Sequence, residues 1–320
     1  MANRKIRKTA ILLKNETTYG TDPTPTGADN ALLVSNVEIN PLNAQNVPRD
    51  LIRDYFGASE ELVGSAYLTM SFDVELQASG TLGTAPAWGP ALKSVGFAET
   101  VTASTRVDYT LVTDGMVSST IYWYDDGVLH KGHGAFGSWA LNAEVGNRPT
   151  LRLTYLLLDG GISAASLPST TLTAWKPPQV VTDANTSDLT LGCTYSAGAL
   201  SGGTPYPSRG ITLDSGNAVN YTELLGGSTV DISDRAITGN VQFDLTAAQE
   251  VTFMAAVKAN TLQSLGFVHG TVDGSKVLMF LSKTQLTNPS KAEINGKRLV
   301  GYNLRAVPNA GNDELRLVCI

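Results

Sequence analysis

The chain has 320 residues, 42% of them apolar and 16% charged, with a net charge of −6 and a pI near 5.1. That length suits two domains of ordinary size, and the acidic balance argues against a basic nucleic-acid groove. No segment has the apolar length of a membrane span, the start lacks the apolar core of a signal peptide, and Cys193 and Cys319 are too few for a disulfide framework. Synthesis in a cytoplasm, with buried free thiols, is expected. The low charge, with Thr, Ser, Asn and Gly in its place, favours strands, turns and extensive self-contact.

Residues 1–30 read as an N-terminal arm, with a basic run at Arg4 to Lys8 and then ETTYGTDPTPTGADN, too rich in Pro, Gly and Asp for a packed element. A first unit follows over 31–158. Within it Val47 to Gly64, VPRDLIRDYFGASEELVG, separates two strand patterns and is longer than a tight hairpin needs. It mixes Arg49, Asp50, Arg53, Asp54, Glu60 and Glu61 with Leu51, Ile52, Tyr55 and Phe56, which suits an apolar contact with a charged rim; a mobile surface excursion is the plain alternative. LTMSFDVEL, residues 68–76, alternates strictly, so Leu68, Met70, Phe72, Val74 and Leu76 face a core and Asp73 and Glu75 face away. A helix over about Pro86 to Ser94, with a stop near Gly96, precedes the strands VDYTLV, STIYWYDDGVLH, SWALNAEV and TLRLTYLLL. Residues 159–178 lose all period, end in Pro177-Pro178 and read as a linker.

The second unit, 179–320, repeats the plan. ITGNVQFDL turns Ile237, Val241, Phe243 and Leu245 inward and Asp244 outward, and a helix is predicted over Ala247 to Ser264 with a stop near Gly266. Four echoes recur in order: MSFDV (70–74) with VQFDL (241–245), LKSVGF (92–97) with LQSLGF (262–267), AEV (143–145) with AEI (292–294), and Tyr155 with Tyr302. Together they indicate a duplicated unit. Asp73, Glu75, Glu144, Asp244 and Glu293 fall on faces away from the core; the solvent side of ordinary sheets is the plain reading of that pattern.

Catalytic signatures are weak. GHGAFG at 132–137 matches a dinucleotide pattern literally but leads into a strand rather than a helix. His130 and His133 lack a nearby third ligand and read as exposed hairpin histidines, and Asp125-Asp126 precedes a turn glycine. No enzyme, metal or cofactor is expected.

The arm KNETTYGTDPTPTGADNALLVSNVEIN (14–40), the helix PAWGPALKSVGF (86–97) and STIYWYDDGVLHKGHGAFGSWALNAEVGNRPTLRLTYLL (119–157) resemble the major tail tube proteins of long-tailed bacteriophages. The resemblance implies a mainly β fold: two tandem β-sandwich or split-barrel domains, each with one flanking helix, contributing strands to a large ring β-barrel. It also implies a virion protein of the tail, assembled in a bacterial cytoplasm into stacked rings that conduct double-stranded DNA without binding it. A duplicated chain would form a ring of three with pseudo-sixfold symmetry. The expected partners are further copies of the chain, a tape-measure protein, and tail terminator and distal tail proteins, with no membrane. Asp73, Glu75, Glu144, Asp244 and Glu293 would then line the lumen, while Arg49, Asp50, Arg53, Tyr55, Phe56, Glu60 and Glu61 would stack one ring on the next. Twenty-four tilted strands give a backbone diameter of roughly 48 Å, enough for a duplex about 20 Å wide, whereas twelve would leave only about 14 Å. The rival class is a receptor- or carbohydrate-binding β-sandwich module, which should display aromatic clusters on loops; Trp88, Trp123 and Trp139 fall inside predicted elements instead.

Overall fold

The computed structural model describes residues 3–320. Its elements run β1 (Thr9–Asn15), β2 (Ala31–Leu32), β3 (Ser35–Pro48), β4 (Glu61–Glu75), α1 (Gly89–Lys93), β5 (Phe97–Thr102), β6 (Arg106–Leu111), β7 (Ser119–Asp125), β8 (Val128–Glu144) and β9 (Thr150–Ala164). There follow β10 (Leu189–Leu191), β11 (Thr194–Ser196), β12 (Ala199–Ser201), β13 (Thr204–Tyr206), β14 (Ser208–Asp214), β15 (Ala218–Leu224), β16 (Gly227–Asp234) and β17 (Thr238–Phe243). The chain closes with α2 (Ala247–Lys258), β18 (Leu262–His269), β19 (Val277–Ile294), β20 (Lys297–Ala306) and β21 (Arg316–Cys319). The fold is mainly β, as the alternation in the sequence requires, and its sheets are open.

One pairing order occurs twice. In the first half β3 pairs with β4, β4 with β9 and β9 with β8; in the second β14 pairs with β17, β17 with β20 and β20 with β19. All these pairs are antiparallel. The halves join where the end of β8 pairs with β14, with Leu141 opposite Leu213 and Ala143 opposite Ile211, all four side chains buried. Eight strands therefore run in unbroken order, β3-β4-β9-β8-β14-β17-β20-β19. Their core-facing residues, including Phe72, Val74, Trp139, Leu153, Val241, Phe243, Val300 and Leu304, share one apolar cluster with Phe97, Val107, Met279 and Leu317.

Each half sets one helix against this cluster. Around α1, the buried Tyr155 hydroxyl donates to the Ala91 carbonyl (2.8 Å) and the Trp88 indole N–H to the Gln77 carbonyl (2.8 Å). Around α2, Phe253 packs on Tyr302 and Phe243 at 5.8 and 5.6 Å between ring centroids, and burial pushes the Tyr302 hydroxyl up to about 12. Thr246 and Gln249 cap α2 reciprocally, satisfying two of the donors that a helix start leaves free.

Several local expectations shift. Thr9–Asn15, inside the expected arm, is a strand paired along its length with β7, because Ile11, Leu12 and Leu13 bury fully there. Arg4 and Lys8 are docked on Asp125 and Asp126. β9 continues to Ala164, six residues into the expected linker, by pairing with the start of β8. GHGAFG lies inside β8 and contains an irregularity of its ladder, between His133 and Phe136. His130 is no exposed hairpin residue: it stacks on Trp123 at 4.8 Å, and burial holds its pKa below the usual value. The first helix stops before Gly96, whose φ of 96° makes glycine the natural residue, but the second ends earlier than expected, at Lys258, with Asn260 beyond it at φ 53°. LQSLGF is then a strand, and Gly266 is there for space: a Cβ would lie 2.8 Å from Leu200 and 3.1 Å from the Cys193 sulfur. The AEV and AEI echo is out of structural register by three residues. Arg152 and Leu299, each three residues before its equivalent tyrosine, lie opposite Ala140 and Ala292.

A second contact between the halves, the antiparallel β6–β21 ladder, carries a polar cluster. Asp108 of β6, only 4% exposed, accepts from Arg106 (2.8 Å), Arg316 of β21 (3.1 Å) and the Tyr195 hydroxyl of β11 (2.6 Å). Removing one partner from a buried charge network leaves the others unsatisfied. Asp108→Ala is expected to lower unfolding stability by about 3 kcal/mol. In urea titration this appears as a lower midpoint at unchanged slope, and a midpoint equal to wild type would contradict it.

Candidate functional site: a concave polar wall

The side of the eight-stranded sheet away from the core is concave and polar. It forms an open trough of about 750 Å³ lined by residues from β4, β8, β9, β14, β17, β19 and β20. Cross-strand partners point to the same face, so the ladder registers define its rows. One row runs Glu75, Thr150, Asn142, Thr212, Asn240, Asn303, Thr287. The next runs Asp73, Arg152, Ala140, Asp214, Thr238, Arg305, Gln285.

The charges on this face are largely paired. Arg152 bridges Asp73 (3.1 Å) and Glu38 (3.0 Å), Arg148 holds Glu75 (3.0 Å), and Lys297 pairs with Asp244. The carboxylates Glu38, Asp73, Glu75, Glu144, Asp214 and Asp244 outnumber the cations Arg148, Arg152, Lys297 and Arg305 only slightly. The face thus keeps a modest acidic excess with most of its charges paired. The cations are legible in the same alternation, Arg152 in TLRLTY and Arg305 in YNLRA.

Asp73, Glu75, Glu144 and Asp244 lie on this concave face; Glu293 does not. Between Thr287 and Ser290, β19 advances three residues while β20 advances two, with Asn288 at φ 48° as the extra one. A bulge of one residue reverses the alternation beyond it. Lys291 and Glu293 consequently point to the helix side, where Lys291 pairs with Glu250 of α2. Asn288-Pro289 is a turn-type dipeptide inside a strand pattern, which is the signal for such a bulge.

The stretch over 47–64 is the tip of the β3–β4 hairpin, whose ladder continues to Pro48 opposite Glu61. Within the tip, Arg49 and Arg53 both reach Glu60, and the Arg53 guanidinium lies over Tyr55 at 5.8 Å. Asp50 and Glu61 make no ion pair among the described residues. Ile52 and Phe56 are fully exposed, and Tyr55 and Leu51 about half so. The corresponding segment of the second half, between β14 and β17, forms its own hairpin, β15–β16. This hairpin lies across β8 and β9, stacks Tyr221 on Tyr67 at 4.9 Å, and receives the Tyr19 hydroxyl at the backbone of Val230. Its tip carries Leu224 and Leu225 exposed.

The tryptophans do not form a surface cluster, since Trp88 and Trp139 are each 1% exposed. Among the described residues no three His, Cys, Asp or Glu converge as metal ligands, and no helix is long and apolar enough to cross a membrane. A search of curated proteins found no match. A family model described as phage tail tube protein matches residues 6–308, nearly the whole length. A chain with this match and this β-rich architecture belongs to the phage tail tube protein family, a structural component of the virion tail.

Proposed function

We propose that the concave face is the inner wall of a tube of stacked rings, each ring built from three copies of this chain, through which double-stranded DNA leaves the virion. The unbroken eight-stranded sheet supports this reading. Three copies supply twenty-four strands, and that number gives a barrel of roughly 48 Å backbone diameter, wide enough for a duplex. In this reading units 31–158 and 179–320 are copies of one ancestral domain, so alternating units give a ring pseudo-sixfold symmetry. The tape-measure protein would occupy the lumen before DNA does, and terminator and distal tail proteins would meet the tube ends.

The wall chemistry suits a conduit. Each Lys or Arg contact to phosphate adds affinity that moving DNA must break. Here Arg148, Arg152 and Lys297 are engaged by carboxylates, and the Thr and Asn row offers neutral polar groups. Glu293, on the helix side of β19, stands outside the lumen set. The exposed apolar tip at Leu51, Ile52, Tyr55 and Phe56, rimmed by Arg49, Asp50, Arg53, Glu60 and Glu61, is the surface we assign to ring-on-ring stacking, since apolar area of this kind seeks a partner.

A head-to-tail contact between unlike surfaces must close or run on as a filament, and here it should close after three chains. Native mass spectrometry of released rings should give three chains; six would contradict the duplicated-unit arrangement. Changing Tyr55→Ala and Phe56→Ala together should leave circular dichroism unchanged but abolish elongation, seen by negative-stain microscopy as rings without tubes. Tubes of normal length would remove this tip from the stacking contact. Arg152→Ala should cost about 1 kcal/mol in urea unfolding, as expected for a partly exposed bridge, with Arg152→Lys restoring only part because an ammonium cannot reproduce a planar fork across two carboxylates. Full recovery by lysine would show that charge alone matters there.

A further inference from the structure

Two strand edges of the eight-stranded sheet lack a partner among the described residues. β3 pairs only with β4, and β19 beyond Gln285 pairs only with β20. Their counterparts in the repeated pairing order are β14 and the end of β8, and those two pair with each other. Each half therefore has the same outer edges, and the chain itself shows how one is filled. Because the eight strands alternate in direction, β19 of one copy runs antiparallel to β3 of the next, as β8 does to β14.

The registers carry the equivalence to single residues. Met70 opposite Tyr155 corresponds to Val241 opposite Tyr302. By the same ladders Asn40, opposite Thr69, corresponds to Thr212, opposite Asn240, and Asn43, opposite Tyr67, to Asp214, opposite Thr238. On the other edge Ala140, opposite Arg152, corresponds to Ala292, opposite Leu299, and Asn142 to Ile294. Within the chain Asp214 lies opposite Ala140 and Thr212 opposite Asn142.

Resting on the tube reading above, we propose that neighbouring chains of a ring join by pairing β19 of one with β3 of the next, in the register of the internal β8–β14 joint: Asn43 opposite Ala292 and Asn40 opposite Ile294 of the adjoining copy. Irregularities confine this pairing. Pro41 sits at one in β3 and Pro289 at the bulge of β19, and proline offers no ladder donor, so the joint is short and the edges resist indiscriminate strand addition. The core side of the joint is also more polar than its internal template, with Lys291 and Glu293 standing where Trp139 and Leu141 stand in β8. Glu293 thus belongs at the edge between subunits on the outer face. A joint of this kind relies on backbone ladders and ring closure more than on apolar burial.

The test uses full-length chains carrying paired cysteines at exposed or half-exposed edge positions, assembled and then treated with an oxidant or a short bis-maleimide; Cys193 and Cys319 are buried and supply little background. Side chains directly opposite lie about 5 Å apart at Cβ, within reach of either treatment. Asn43→Cys with Ala292→Cys, and separately Asn40→Cys with Ile294→Cys, should convert most of the chain to a covalent species that stops at three copies in denaturing gels. Asn40→Cys with Ala292→Cys, out of register, should cross-link at least tenfold less. Rings visible by microscopy without in-register cross-linking, or with the out-of-register pair favoured, would overturn the joint while leaving the tube reading intact. Chains that never form rings in wild type or variants would overturn the tube reading and the joint with it.

Discussion

The β8–β14 ladder is the contact on which the rest of the architecture depends. Without it the two four-strand runs, β3-β4-β9-β8 and β14-β17-β20-β19, would be separate; with it, eight strands in unbroken order present a single polar face. The ladder is well suited to the task, because Leu141, Ala143, Ile211 and Leu213 bury on its core side while Asn142, Thr212 and Asp214 face outward. Polar and apolar demands are met by the same backbone pairing. The β6–β21 ladder joins the halves again at a distance, and the Asp108 cluster ties β11 to it.

That geometry explains the composition. A sheet with one packed and one polar side needs period-two alternation in every strand, and the polar positions here are mostly Thr, Asn, Ser and paired charges rather than free Lys or Glu. Low overall charge follows naturally from a chain that covers much of its surface with itself and its copies. Of the acidic residues on the wall, Asp73, Glu75 and Asp244 are held by arginine and lysine, while Glu144 makes no ion pair among the described residues.

Much of the alternation was legible in the sequence because β4, β9, β17 and β20 each keep one phase over several residues. What escaped were features decided by partners far away in the chain. Thr9–Asn15 has no turn chemistry of its own to mark it, and becomes a strand because β7 offers an edge. LQSLGF fits a helix end or a strand equally well; a crowded site beside Cys193 and Leu200 settles it as strand. Glu293 was placed on the wrong face by an alternation that ignored the bulge at Asn288, although Asn-Pro announces it. The β8–β14 pairing had no local sign at all, since SWALNAEV reads only as a half-buried strand and nothing in SRGITLD marks it as the partner. The order and character of the elements are legible in the sequence where their pairing partners are not.

The most direct test of the assigned wall is an electron cryomicroscopy map of the assembled tube at side-chain resolution. It should show three chains per ring, with Thr150, Asn142, Thr212, Asn240 and Asn303 facing the lumen and both helices on the outside. A lumen lined by the helix-bearing side, or by loops rather than by this sheet, would contradict the assignment.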